Sequence, residues 1–137
     1  MTALDRATLA VRFFGDSLDP DELTHVLGAT PSLAYRKGDR CTSAAGELVR
    51  QTGAWVLATD SCDGHTLDGT IGELFARLTH DLAVWDTLAS RFRADLFCGL
   101  FMAQANEGLS LSPATLRMLA DRQLEVGFDL YGPVAEF

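Results

Sequence analysis

The chain predicts an α+β fold: a two-layer ferredoxin-like sandwich with a mostly antiparallel sheet, helices packed on one face, and two β-α-β-like units. Three observations lead there. Short stretches with apolar residues at period two alternate along the chain with stretches at helical period. Two predicted strands are each followed by the same helix opening, a capping residue, then Pro, then Leu, in Asp19-Pro20-Asp21-Glu22-Leu23 and Ser112-Pro113-Ala114-Thr115-Leu116. A length of 137 residues, with 47% hydrophobic and 22% charged, suits one domain over 1–137 that builds its own core.

The first strand is read at Leu9 to Phe14, with Leu9, Val11 and Phe13 on one face. After the connector Gly15 to Leu18, Asp19 caps a helix with Pro20 at its first position, and Glu22 completes a capping box. Leu23, Val26 and Leu27 form its buried stripe, and Gly28 ends it in the left-handed region. Ser32 to Arg36 reads as a second strand, and Lys37 to Gln51, rich in small and polar residues, as a loop with a turn near Ala44 to Gly46. Ala54 to Thr59 is a strand and Asp60 to His65 a turn. From Leu67 to Phe92 apolar residues recur at helical spacing, as one helix or two; a break falls at Thr79-His80-Asp81, with Thr79 as the cap. Asp95 to Met102 is a strand and Asn106 to Gly108 a turn; Ser112-Pro113 opens a helix that turns Leu116, Leu119 and Ala120 inward. Leu124 to Tyr131 is the last strand, and the tail after Gly132 has no pattern.

Eleven Lys and Arg against nineteen Asp and Glu leave a net charge of −8, which repels a phosphate backbone. The one dense basic stretch, Arg36 to Arg40, has Asp39 inside it, so nucleic acid is not an expected partner. The three cysteines, Cys41, Cys62 and Cys98, are odd in number and form no C-x-x-C. The first residues include Asp5 and no apolar leader, and the longest apolar run, Leu96 to Ala103, is too short to cross a bilayer. These features lead to the expectation of a cytoplasmic protein with no membrane contact.

No phosphate loop, nucleophile elbow, dinucleotide fingerprint or zinc-protease motif occurs, so no catalytic residue, metal site or cofactor is assigned, and the reading leans away from an enzyme. Asp16, Asp19, Asp21 and Glu22 cluster, but capping accounts for them better than calcium or acid-base work. Cys62-Asp63-Gly64-His65 puts a thiol and an imidazole in one turn without further ligands at metal spacing. Arg36 and Lys37 at a strand end are candidate anion holders, read more simply as solvated; Trp55 is a candidate pocket wall, read more simply as a core anchor.

The most informative surface is the sheet face away from the helices. Alternation sends Leu9, Val11, Phe13, Leu96, Cys98, Leu100, Met102, Leu124, Val126, Phe128 and Leu130 to the core. It leaves Arg12, Phe14, Asp95, Phe97, Gly99, Phe101, Glu125, Gly127, Asp129 and Tyr131 opposite. Phe14, Phe97, Phe101 and Tyr131 are too much aromatic area to leave in water without a reason. Arg12 either pairs across strands with the neighbouring carboxylates or binds an anionic group between aromatic walls, and strand order decides whether Arg12 and Phe101 share a surface.

In order along the chain, Gly15-Asp16-Ser17-Leu18-Asp19-Pro20-Asp21-Glu22-Leu23 through Leu27-Gly28, Pro31 with Arg36-Lys37-Gly38-Asp39, Gly53-Ala54-Trp55, Leu109-Ser110-Leu111-Ser112-Pro113 and Asp129-Leu130-Tyr131-Gly132 resemble the bacterial domain-of-unknown-function family 4279. The 37–51 loop and the 62–65 turn depart from that pattern. The resemblance implies a small single-domain cytoplasmic protein and brings no catalytic residues with it. The function expected is therefore a binding module that uses the open sheet face, either for homodimerisation or to mask a protein partner. The alternative is a sensor or enzyme for a small anionic ligand held in a pocket between sheet and helices, with Arg12, Trp55, Arg36 and Lys37 as its polar groups.

Overall fold

The computed structural model describes residues 2–3 and 5–133. In chain order the elements are β1 (Thr2–Ala3), β2 (Arg6–Gly15), α1 (Pro20–Leu27), β3 (Leu33–Tyr35), β4 (Arg40–Ser43), β5 (Gly46–Val49), β6 (Gly53–Ala58) and β7 (Cys62–Asp63). A short 3-10 turn (Gly64–Thr66) leads into α2 (Leu67–Ala76), α3 (Leu82–Arg91), β8 (Arg93–Phe101), β9 (Glu107–Gly108), α4 (Pro113–Asp121) and β10 (Glu125–Tyr131). The described residues form a mixed α/β structure with four α-helices and a mostly antiparallel sheet. The sheet runs β10-β8-β2-β6-β3, with β7 beside the start of β2. β2 is antiparallel to both β6 and β8, β3 is antiparallel to β6, and β10 joins β8 in parallel through α4.

Local chemistry explains the helix ends. Asp19 accepts from the Asp21 amide at 3.0 Å, Pro20 supplies a preset φ, and Gly28 closes α1 at φ 77°. Glu22 does not complete a capping box; its carboxylate pairs with Arg91 of α3 at 2.8 Å. The 67–92 stretch is two helices, and Asp81 rather than Thr79 caps the second, accepting from the Ala83 amide at 3.0 Å. Thr79 accepts from the Asp81 amide, and its own carbonyl takes the Trp85 indole N–H. Ser112 caps α4 as expected.

Buried side chains from all four helices join one cluster with Leu9, Val11 and Phe13 of β2, Trp55 and Leu57 of β6, and Leu96, Cys98 and Leu100 of β8. Trp55, Trp85, Phe13 and Phe75 are its largest members, with Phe13 edge-on to Trp55 at 6.0 Å.

Several expectations need correcting. Phe128 and Leu130 are not core residues: they are 45% and 64% exposed. Alternation correctly assigns their face, but β10 is the sheet edge, and the helical cover reaches only Leu124 and, in part, Val126. Leu119 is buried as expected, but Leu116 and Ala120 face outward, and Thr115 of α4 and Arg122 just past its end are buried in their place. The guanidinium of Arg122 lies 5.8 Å from the Phe75 ring and 5.7 Å from the Trp85 ring, and it donates to the Met118 carbonyl. The 37–51 stretch is not a loop but the β4–β5 hairpin, an exposed two-stranded arm clasped at its base by Asp39 and Arg50. The 62–65 and 106–108 turns each contain a two-residue strand, β7 and β9.

Candidate functional site on the open sheet face

Register assembles the site in cross-strand rows. Phe14 lies opposite Arg93. Arg12, Asp95 and Glu125 form the next row; Ala10, Phe97 and Gly127 the third; Thr8, Gly99 and Asp129 the fourth; Arg6, Phe101 and Tyr131 the last. Arg12 and Phe101 therefore share one surface, because β8 lies directly between β2 and β10.

Arg12 is the hub. Its Nε and Nη2 donate to the two carboxylate oxygens of Asp95 at 2.9 and 2.8 Å, a fork-to-fork pair. The side chains are 29% and 24% exposed, so the charges are screened less than on an open surface. The bound carboxylate raises the Arg12 pKa, against the opposing effect of burial. The same guanidinium lies 4.2 Å from the Phe97 ring centre and 5.3 Å from that of Phe14. At the far end of the face, Arg6 covers Phe101 at 4.2 Å, and Phe101 stacks on Tyr131 with centroids 4.7 Å apart. The Tyr131 hydroxyl donates to Asp129 at 2.6 Å; that bond to a carboxylate holds the proton and raises the phenol pKa.

Two glycines lie under these rings, and one of them, Gly99, has no room for a side chain beside Thr8. A Cβ on Gly99 would meet Thr8 Oγ1 at 2.6 Å and the Phe101 ring at 3.6 Å; one on Gly127 would meet the Phe97 ring at 3.8 Å. Phe14, Phe97 and Phe101 are half-buried and Tyr131 is exposed, so arginine side chains are the roof over these rings. A depression of about 350 Å3 opens between Arg12, Arg93, Asp95 and Glu125, and another of about 440 Å3 between Arg6, Phe101, Met102 and Tyr131.

The other nominated residues lie elsewhere. Trp55 is fully buried and donates its indole N–H to Thr24 Oγ1, so it walls no pocket. Arg36 holds Asp19 at 2.7 Å and Asp21 at 3.1 Å, and Lys37 holds Asp16 at 3.1 Å. The acidic cluster and the basic strand end, read separately in the sequence, thus neutralise each other where β3 runs past the start of α1. Asp16 is pulled below the usual carboxylate range mainly by Lys37, and Asp19 mainly by the Asp21 amide. Sequence reasoning missed Arg6, Arg93, Leu33 and Tyr35. Extending the first and fourth strands to their true starts adds the arginines. Period-two alternation applied to the predicted 32–36 strand would have put Leu33 and Tyr35 on one face, and they lie opposite Val56 and Ala54.

Among the described residues no three His, Cys, Asp or Glu side chains gather in a way that would hold a metal ion. No helix of the described residues is long and apolar enough to cross a membrane. The family profile of a domain of unknown function, DUF4279, matches residues 5–133. The chain belongs to the DUF4279 family. That match spans every strand of the main sheet, including the rows that carry Arg12, Phe97 and Tyr131. No curated protein and no solved structure matches the chain.

Proposed function

We propose that this DUF4279 protein is a binding module whose open sheet face docks a protein partner. One observation carries the reading: Phe97, Phe14 and Phe101 lie half-buried on a sheet face where, among the described residues, guanidinium groups lie over the rings and Phe101 also stacks on the exposed Tyr131. Arginines stacked on rings present flat, part-desolvated surface with fixed donors, the composition found at the centres of protein interfaces. A net charge of −8 favours a basic partner, whose masking is one form of this role; a second copy docked through the same face is the other. The strand order supports a ferredoxin-like two-layer arrangement of β2, α1, β3, β6, α2–α3 and β8, extended by a second β-α-β-like step through α4 to β10. A bacterial cytoplasm is part of the same reading. The geometry gives the anionic-ligand alternative less support, because Arg12, Arg36 and Lys37 are each already held by carboxylates.

The test is comparative capture from the native host at low and high salt. Wild type, a Phe101→Glu/Tyr131→Glu face variant and an Arg117→Glu control on α4 serve as baits. The reading expects a basic protein retained by wild type and control, lost with the face variant and weakened by salt. A partner held equally by all three baits would refute it.

A further inference from the structure

The open face ends at β10, and the outer edge of that strand presents a second surface with its own logic. Among the described residues no strand pairs with it. The Tyr131 carbonyl accepts from the Met102 amide, so residues 125, 127, 129 and 131 turn their backbone groups toward β8. By alternation, Val126, Phe128 and Leu130 direct their N–H and C=O groups outward. Those three residues also carry the apolar side chains of the strand, with Phe128 and Leu130 far from covered. Between Glu125 and Tyr131 there is no Lys, Arg or Pro, the residues that usually blunt an edge.

We propose that this edge pairs antiparallel with β10 of a second copy, about a two-fold axis at Phe128. In that register Phe128 faces its own copy, and Val126 faces Leu130 of the second copy. Each of these pairs exchanges both hydrogen bonds, using the groups that β8 leaves free. Gly127 then faces Asp129 of the second copy, and Glu125 faces Tyr131, so no acid opposes an acid. The neighbouring registers are worse. Moving the dyad to Gly127 sets Glu125 against Asp129; moving it to Asp129 sets that carboxylate against itself. A slip that pairs odd with even residues turns the apolar side chains of one copy onto the polar face of the other. Dyads at Val126 or Leu130 avoid acid pairs but overlap far fewer residues of the strand, so the dyad at Phe128 is the register of fullest overlap at which charge, apolar pattern and backbone direction all match. The contact is distinct from the open face and does not depend on its role.

Sedimentation velocity on the full chain, over about 1 to 500 µM, tests this. Two chains of −8 repel, so a dimer that grows with concentration and with added salt is expected. Phe128→Glu sets like charges together on the dyad and is expected to weaken it about a hundredfold or more; a circular dichroism melt confirms that the exposed substitution leaves the fold intact. The register has its own readout in a Cys41→Ser/Cys62→Ser background. Phe128→Cys is expected to form an interchain disulfide, because facing Cα atoms lie about 5.5 Å apart. Leu130→Cys is expected not to, since it faces Val126. A monomer at every concentration and salt, or equal cross-linking at 128 and 130, would overturn the proposal. So would a dimer indifferent to Phe128→Glu; one lost instead with Phe101→Glu would assign self-association to the open face.

Discussion

Removing the Arg12–Asp95 pair is the perturbation that reads the open face most clearly. Exposed ion pairs contribute about 0.2–1 kcal/mol. Stripping one partner from a fully buried pair costs about 3–5 kcal/mol. This pair lies between, with a bidentate geometry at 2.8–2.9 Å and side chains 29% and 24% exposed. Asp95→Ala leaves a part-buried guanidinium without its counter-charge and is predicted to cost about 2 kcal/mol. Arg12→Ala costs somewhat more, because the stem and guanidinium also cover Phe97 and Phe14. In a double-mutant cycle the coupling is predicted at about 1–2 kcal/mol. Urea denaturation followed by tryptophan fluorescence measures it, since Trp55 and Trp85 are both fully buried and report loss of the core. For a chain of this size each kcal/mol moves the melting midpoint by about 3–5 °C. Arg12→Lys, which keeps the charge and loses the fork, is predicted to forfeit most of the coupling. A coupling below about 0.3 kcal/mol would refute the claim that this pair organises the face.

Three further predictions follow from local geometry. Gly99→Ala drives a Cβ to 2.6 Å from Thr8 Oγ1 and is predicted to cost about 1–3 kcal/mol; Thr8→Ala restores most of it in the double variant, and no rescue would mean the clash lies elsewhere. Burial pushes the Cys98 thiol up to about 12, so a disulfide reagent at pH 8 is predicted to modify Cys41 and Cys62 and to spare Cys98 until urea is added; prompt reaction of all three would contradict the packing. Asp68 is held below the usual carboxylate range by the Ser112 amide at 2.8 Å. A depressed native pKa gives stability that is complete above the unfolded value of about 3.9 and is lost as pH falls through the native one. Asp68→Asn is therefore predicted to flatten the loss of stability below about pH 4, and an unchanged acid limb in stability against pH would count against it.

Much of this fold was legible because the elements announce themselves by local chemistry. Asp19-Pro20 and Ser112-Pro113 start helices as their capping groups dictate, and alternation put Val11, Phe13 and Leu96 inward. What was illegible depends on coverage and pairing, which periodicity does not encode. Phe128 and Leu130 sit on the correct face of an edge strand, beyond the reach of the helices. Arg122 occupies a buried stripe position that charge alone argues against, where aromatic rings and a carbonyl receive it. The polar 37–51 stretch forms a hairpin that packs on no core, so it lacks the apolar pattern that marks a strand. Of the nominated site, Arg12, Phe14, Phe97, Phe101, Asp129 and Tyr131 come together because strand order places β8 between β2 and β10. Arg36 and Lys37 were drawn away by carboxylates that lie 15 to 21 positions earlier in the chain.

The proposed docking role requires rings that water reaches. Aromatic proton spectra recorded with a soluble paramagnetic probe, at a concentration where the chain is monomeric, test this directly. Tyr131 is predicted to broaden most and the half-buried Phe101, Phe97 and Phe14 measurably, while Phe13, Phe75, Trp55 and Trp85 stay sharp. Phe97 and Phe101 signals as protected as those of Phe13 would show the face already covered, and the docking surface would be lost with it.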